Sequence, residues 1–272
     1  MSVSRRFFFH RSTLRALISI LVFVALWEVG ARSKQWFGIA VPWVGNIPAP
    51  TAVLHVWIGL IRDAGYWQSW YLSLLRVLAG FLTAMVIGIP LGLLMAVSRN
   101  FNDTFFPTFE MLRPIPPLAW VPASIIFWPT QELSITFVTF LGAFFTVVIN
   151  VLGGAKSIDV RYFQAAQAMG ASKWDTFRRI VLPATVPSIV VGSAVGMGIT
   201  WNVVVAAEMI SGGGGQAGGN GGGLGYFIWN SYVGGAYEQI VVGMISIGIA
   251  GYICSELLRM LGGFLTPWLR TR

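Results

Sequence analysis

Six stretches of this chain, roughly 14–31, 70–97, 105–128, 133–154, 184–208 and 237–261, are predominantly apolar. Each is close to the length of about 20 residues that a helix needs to cross a hydrocarbon core of about 30 Å. In lipid the backbone must satisfy its own hydrogen bonds, which a helix does within one segment. The expected fold is therefore all-α, a polytopic membrane bundle of about six transmembrane helices. Composition agrees: 56% of the 272 residues are apolar and 10% are charged, against about 25% charged in soluble domains. Too little polar surface is available to cover a water-soluble globule.

The formal charge of +8 suggests nucleic acid only until the charges are placed. Basic residues cluster at the N-terminus (Arg5, Arg6, Arg11, Arg15), in 155–183 (Lys156, Arg161, Lys173, Arg178, Arg179) and near the C-terminus (Arg259, Arg270, Arg272). They flank apolar spans, as loops beside anionic lipid do, so membrane lipid and not nucleic acid is the expected contact. Adding Arg99, the segments on one side hold thirteen basic residues, and those on the other hold three, Arg32, Lys34 and Arg62. The positive-inside bias then places both termini in the cytoplasm of an inner, or plasma, membrane. A cleaved leader is the alternative for the first span, with Val29-Gly30-Ala31 as a small-residue site. Glu28 in that region and five further spans favour a retained helix.

Catalytic and metal chemistry find little support. Cys254 is the single cysteine and lies in an apolar run, while His10 and His55 stand apart without ligand-like neighbours, so no metal site is expected. No Ser/His/Asp or Cys/His set sits in a polar setting. The Gly-rich stretch 211–225 reads as a loop, and no Lys follows its glycines as a phosphate-binding loop requires. Residues 42–50 are rich in proline and lead into 51–63, where Val53, Val56, Trp57, Leu60 and Ile61 recur at helical spacing, as in a helix lying on the membrane surface. No internal repeat of the inverted-topology kind is seen.

Ionisable residues within spans are costly and usually face a bundle interior. Glu110 and Arg113 stand one turn apart, which suits a local ion pair. Arg113 also precedes Pro114, Pro116 and Pro117, which free backbone groups and make an anion path the competing reading. Arg76, near the outer end of its span, has the reach to snorkel. Glu208 closes the fifth span, where a negative charge suits a gating or structural role. Trp201 and Asn202 are path candidates, with packing as the alternative.

The longest polar loop, 155–183, is the most informative. Its pattern predicts a short helix over 160–169, a break at Gly170 in a positive-φ conformation, and a second helix over 172–181 capped by Ser172. Leu182-Pro183 is expected to end that helix and begin the next span. The product is a stiff elbow fit to enter a partner's groove.

Gln164-Ala165-Ala166, Gly170 and Ile180-x-Leu182-Pro183 reproduce the spacing of the cytoplasmic loop signature of importer permeases of the ATP-binding-cassette superfamily. Gln164 stands where that signature has Glu. Further stretches resemble the nitrate/sulfonate/taurine/bicarbonate group, notably Ser73–Phe81, Gly88-Ile89-Pro90-Leu91-Gly92, Leu112-Arg113-Pro114-Ile115-Pro116-Pro117, Val205-Ala206-Ala207-Glu208 and Gly223-Leu224-Gly225-Tyr226. Trp201 to Met209 is most similar to the nitrate branch. The Gly run 212–223 is longer than that group's usual loop. The resemblance implies a type I importer permease core in helices two to six, over 67–272, preceded by the N-terminus, first helix and interfacial segment over 1–66. It implies no cofactor on this chain and ATP-Mg on separate ATPase subunits at the elbow. A substrate-binding protein outside, a second permease copy in a homodimer, and a small oxyanion as cargo complete the expectation. Nitrate comes first as that cargo, then bicarbonate, sulfonate or taurine. An ion-coupled carrier or channel working without an ATPase is the alternative, and a non-transport scaffold leaves the elbow unexplained.

Overall fold

The computed structural model describes residues 4–38, 42, 44–212 and 222–267, and every regular element among them is helical. In chain order these are α1 (Ser4–Ala31), α2 (Ser33–Phe37), α3 (Pro50–Leu60), α4 (Ala64–Val97), α5 (Arg99–Leu112), α6 (Val121–Phe127), α7 (Gln131–Lys156), α8 (Val160–Ala168), α9 (Lys173–Thr176), α10 (Leu182–Gly212), α11 (Leu224–Val233) and α12 (Tyr237–Leu265). Short 3₁₀ turns occupy Val44–Asn46 and Pro117–Trp120.

Five stretches are long and apolar enough to cross a membrane: Leu14–Ala31, Ala64–Val97, Gln131–Lys156, Lys173–Ser211 and Tyr237–Leu265. They match five of the six expected spans. The remaining stretch, 105–128, is not one helix. α5 ends at Leu112, the chain turns through 113–116, and α6 is only 7 residues long. The cause is Pro114, Pro116 and Pro117, which lack an N–H and disfavour helix in the residue before each.

A second difference lies at Leu182-Pro183. The chain does not stop there but runs on from α9 through a π turn, Phe177–Val181, into α10. The Leu182 N–H reaches back five residues to the Phe177 carbonyl. This wider turn takes up the gap in the hydrogen-bond ladder that Pro183 imposes and keeps the helix continuous.

The centre of the bundle is α4, α7 and α10, with α12 and α11 packed on α10 and α3 packed on α12. Lipid tails are as apolar as leucine, so helices associate in membranes through close packing. α4 supplies it with Gly80, Ala84, Gly88 and Gly92, all buried and four residues apart. A Cβ on Gly92 would lie 2.8 Å from the Val151 Cβ of α7. The two backbones approach closely only because that position is bare. Apolar side chains such as Val86 and Met244 point outward, 72% and 60% exposed.

Glu28, near the end of α1, serves a helix that follows it. Its carboxylate accepts the Thr51 backbone N–H at 3.1 Å and the Thr51 hydroxyl at 2.9 Å, while Arg32 pairs with it at 2.5 Å. Ala49 and Pro50 leave α3 without a side-chain cap of its own, and the Glu28 carboxylate takes that place.

Candidate functional site: an elbow and a buried charge cluster

Asp159 caps α8, accepting the Arg161 backbone N–H at 2.9 Å and the Arg161 guanidinium at 2.7 Å. Those donors hold the Asp159 carboxyl below the usual aspartate range, the Arg161 side chain first among them. At the other end of α8 the Gly170 N–H bonds the Gln167 carbonyl at 3.0 Å and the Ala171 N–H bonds the Ala166 carbonyl at 2.9 Å. This crossed pair is the Schellman ending, which needs a left-handed residue, and Gly170 has φ +70°. Ser172 then caps α9, its hydroxyl oxygen accepting the Asp175 N–H at 3.1 Å.

The elbow is therefore fixed at three consecutive points: a cap, a left-handed turn and a second cap. It is also seated. Phe163, Phe177 and Val181 pack with Leu93, Val147 and Val151, near the ends of α4 and α7. Gln164 and Ala165 face solvent, Ala166 is buried beneath them, Ile180 and Pro183 are half-buried, and Leu182 is exposed. Two large apolar side chains at the tip have no cover, Met169 at 78% and Trp174 at 66% exposed, the latter stacked on Phe177.

At the opposite end of the bundle lies a charge cluster that reading along the chain does not assemble. Arg76 of α4 is 4% exposed and pairs with Glu208 of α10 at 2.9 Å and Glu132 of α7 at 2.5 Å. Its guanidinium also donates to the Gly222 carbonyl at 2.5 Å. Glu208 is fully enclosed, accepting from the Ser73 hydroxyl at 2.8 Å and the Gly225 N–H at 2.9 Å. Ser73 accepts the Leu224 N–H at 2.8 Å. Ser73 and Glu208 thus cap the first turn of α11 from two other helices, an arrangement that favours negative charge at a helix start. Gly223, at φ +128°, is required there because a Cβ would collide with the Glu208 carboxylate. Arg76 does not snorkel. Two carboxylates hold it inside.

The other expected residues are dispersed. Glu110 and Arg113 meet at 3.3 Å, both nearly half exposed, where α5 ends. Trp201 is 2% exposed within the central core, against Gly251 of α12. Asn202, its neighbour, is exposed on another face of α10. Most of the Gly-rich run, 213–221, lies outside the described residues. The signal for the charge cluster was present, since Arg76 and Glu208 are each an expensive charge in an apolar span and a buried charge needs a partner. Glu132, in the first turn of α7, gave none.

Long apolar helices, glycine-mediated contact and a buried charge cluster define an α-helical integral membrane protein of several passes. Its fold is similar to that of a chain in the inward-facing methionine ABC transporter, with a TM-score of 0.57 at 21% identity over 76% of this chain and 96% of that one. Residues 88–271 match the family model described as the binding-protein-dependent transport system inner membrane component, and the chain belongs to that family. It is an ABC importer permease subunit. A putative ABC transporter permease of Methanocaldococcus jannaschii is 37% identical over 82% of each chain. A nitrate import permease of Synechocystis is 32% identical over 96% of this chain and 92% of its own. A taurine transport system permease of Escherichia coli is 31% identical over 82% and 80%.

Proposed function

We propose that two copies of this chain enclose the path of an importer for a small oxyanion, nitrate first, with bicarbonate, sulfonate or taurine as its chemical relatives. ATPase subunits holding ATP-Mg dock on the elbow from the cytoplasm, where both termini also lie, and a substrate-binding protein docks on the opposite side. The observation that carries this reading is the elbow: a polar loop locked by three consecutive turn devices that nevertheless exposes Met169 and Trp174. Buried aromatic and apolar anchors dominate protein interfaces. Through Phe163, Phe177 and Val181 a displacement of the tip reaches α4 and α7 as a rigid shift, since a packed contact does not deform gradually. Co-purification with the ATPase subunits, followed by ATPase assays with and without loaded binding protein, tests this. Stimulation by loaded binding protein is the expected result; uptake driven by an ion gradient without any ATPase would overturn it.

The cargo reading rests on the nitrate and taurine relatives and on Arg113. Its pair with Glu110 leaves guanidinium donors for an oxyanion. Arg113→Gln is expected to lower nitrate uptake while the binding protein's own affinity is unchanged. Full uptake in the Glu110→Gln, Arg113→Gln double variant would remove Arg113 from the path and assign it to folding.

A further inference from the structure

One face of α7 meets α10, where a Cβ on Gly142 would lie 3.1 Å from the Val203 side chain. Phe137, Leu141, Phe144 and Phe145 point the other way and line a half-open cavity of about 300 Å³ between α4, α5 and α7. Six of its eleven lining residues are aromatic and none is charged. Its outer wall is α5, of which Phe109 alone is buried. Left empty, such a cavity would forfeit dispersion contact along every wall. At the elbow end of the same two helices, Lys156 of α7 donates to the Asn102 side-chain carbonyl of α5 at 3.2 Å and lies 5.6 Å from the Phe106 ring centroid. Among the described residues no carboxylate pairs with it. From there the rings of Phe106, Phe109 and Phe145 follow one another inward to the cavity, with centroids 6.4 Å and 5.3 Å apart.

We propose that Lys156 and this cavity form one site for an anionic phospholipid of the leaflet on the elbow side, its phosphate at the Lys156 ammonium and the end of one acyl chain in the cavity. The lengths agree. Phe145 stands eleven residues from Lys156, roughly 16 Å of helix, and half a hydrocarbon core, the depth one acyl chain fills, is about 15 Å. An ammonium has three donors; Asn102 takes one and two remain for phosphate oxygens. A negative headgroup adds the attraction that draws basic side chains to an anionic membrane surface. The shape selects the occupant as well. A helix is about 10–12 Å across with its side chains, too broad for this cavity, whereas a single flexible chain follows its aromatic wall. With that chain in place, α5 gains the packing that Phe109 alone gives it. The site holds for either orientation of the bundle and for any cargo.

Photolabelling decides it, in phosphatidylcholine vesicles holding the purified chain and a trace of lipid with a diazirine at the end of one acyl chain. Labelled phosphatidylglycerol is expected to mark residues 105–112 and 137–145 several-fold more than labelled phosphatidylcholine does. Lys156→Gln should bring the two lipids level at those residues. Thr108→Trp, which adds bulk from an exposed position on the wall, should remove the label from 137–145. The unmodified chain and Lys156→Gln keep the test decisive if the tryptophan variant does not fold. Equal labelling of the unmodified chain by both lipids would overturn the site. So would label spread evenly over outward residues such as Val86 and Met244, or no label in the cavity because a second copy covers it.

Discussion

Arg76 and Glu208 show what a single buried charge demands. Arg76 uses both arms of its guanidinium on carboxylates, and Glu208 has a hydroxyl, a backbone N–H and that guanidinium around it. Breaking a buried pair by removing one partner strands the other, at a cost of about 3–5 kcal/mol, whereas removing both together costs far less. Arg76→Gln is therefore expected to lower the thermal midpoint of the purified chain sharply. The Arg76→Gln, Glu208→Gln double variant should recover part of that loss. A double variant as unstable as the sum of the two singles would mean that the residues are independent. The pairing was not legible in the sequence. Residues 76, 132 and 208 come together only because α4, α7 and α10 are mutual neighbours, and apolar periodicity identifies helices without saying which of them touch.

At the scale of elements, much of what was legible came from local chemistry. The Gly170 turn, the Ser172 cap and the five long helices follow from residue type and run length, which act within a few residues. The third apolar stretch and the Leu182-Pro183 junction were read less well because proline admits more than one outcome. Three prolines in four residues divide 105–128, while Pro183, behind a π turn, and Pro187 let 173–212 continue. Glycine in these helices has the same two-sided character. A Cβ added to Gly153 in α7 would meet nothing within 4 Å, whereas one on Gly92 would face Val151 at 2.8 Å. Gly153→Ala is expected to stabilise by up to about 1 kcal/mol through helix propensity. Gly92→Ala is expected to destabilise by about 1–3 kcal/mol, because the α4–α7 contact must open. Unfolding midpoints of the two variants check this, and shifts of the same sign would contradict the packing account.

For the whole molecule, the elbow and the charge cluster lie at opposite ends of one bundle, joined by α4, α7 and α10. Motion put in at the elbow therefore has a continuous packed route to the far end, where Ser73, Arg76 and Glu208 tie α11 to the same helices. Orientation gives this arrangement its direction. With Cys254 replaced by Ser, a membrane-impermeant thiol reagent applied to intact cells is expected to miss a cysteine at position 178 and to label one at position 215. The reverse pattern would invert the bundle.

The central claim is that the elbow passes motion between this chain and an ATPase, and Gly170 tests it most directly. A Cβ there would meet nothing within 4 Å in this chain, so within the chain a substitution is felt first through φ +70°. A left-handed conformation costs an ordinary residue about 1–2 kcal/mol, and a β-branched residue more, while Asn tolerates it. ATPase activity of the assembled complex, measured with and without loaded binding protein, should lose its stimulation in Gly170→Val and keep most of it in Gly170→Asn, with membrane insertion intact in both. A Gly170→Val complex stimulated as strongly as the unmodified one would contradict the account.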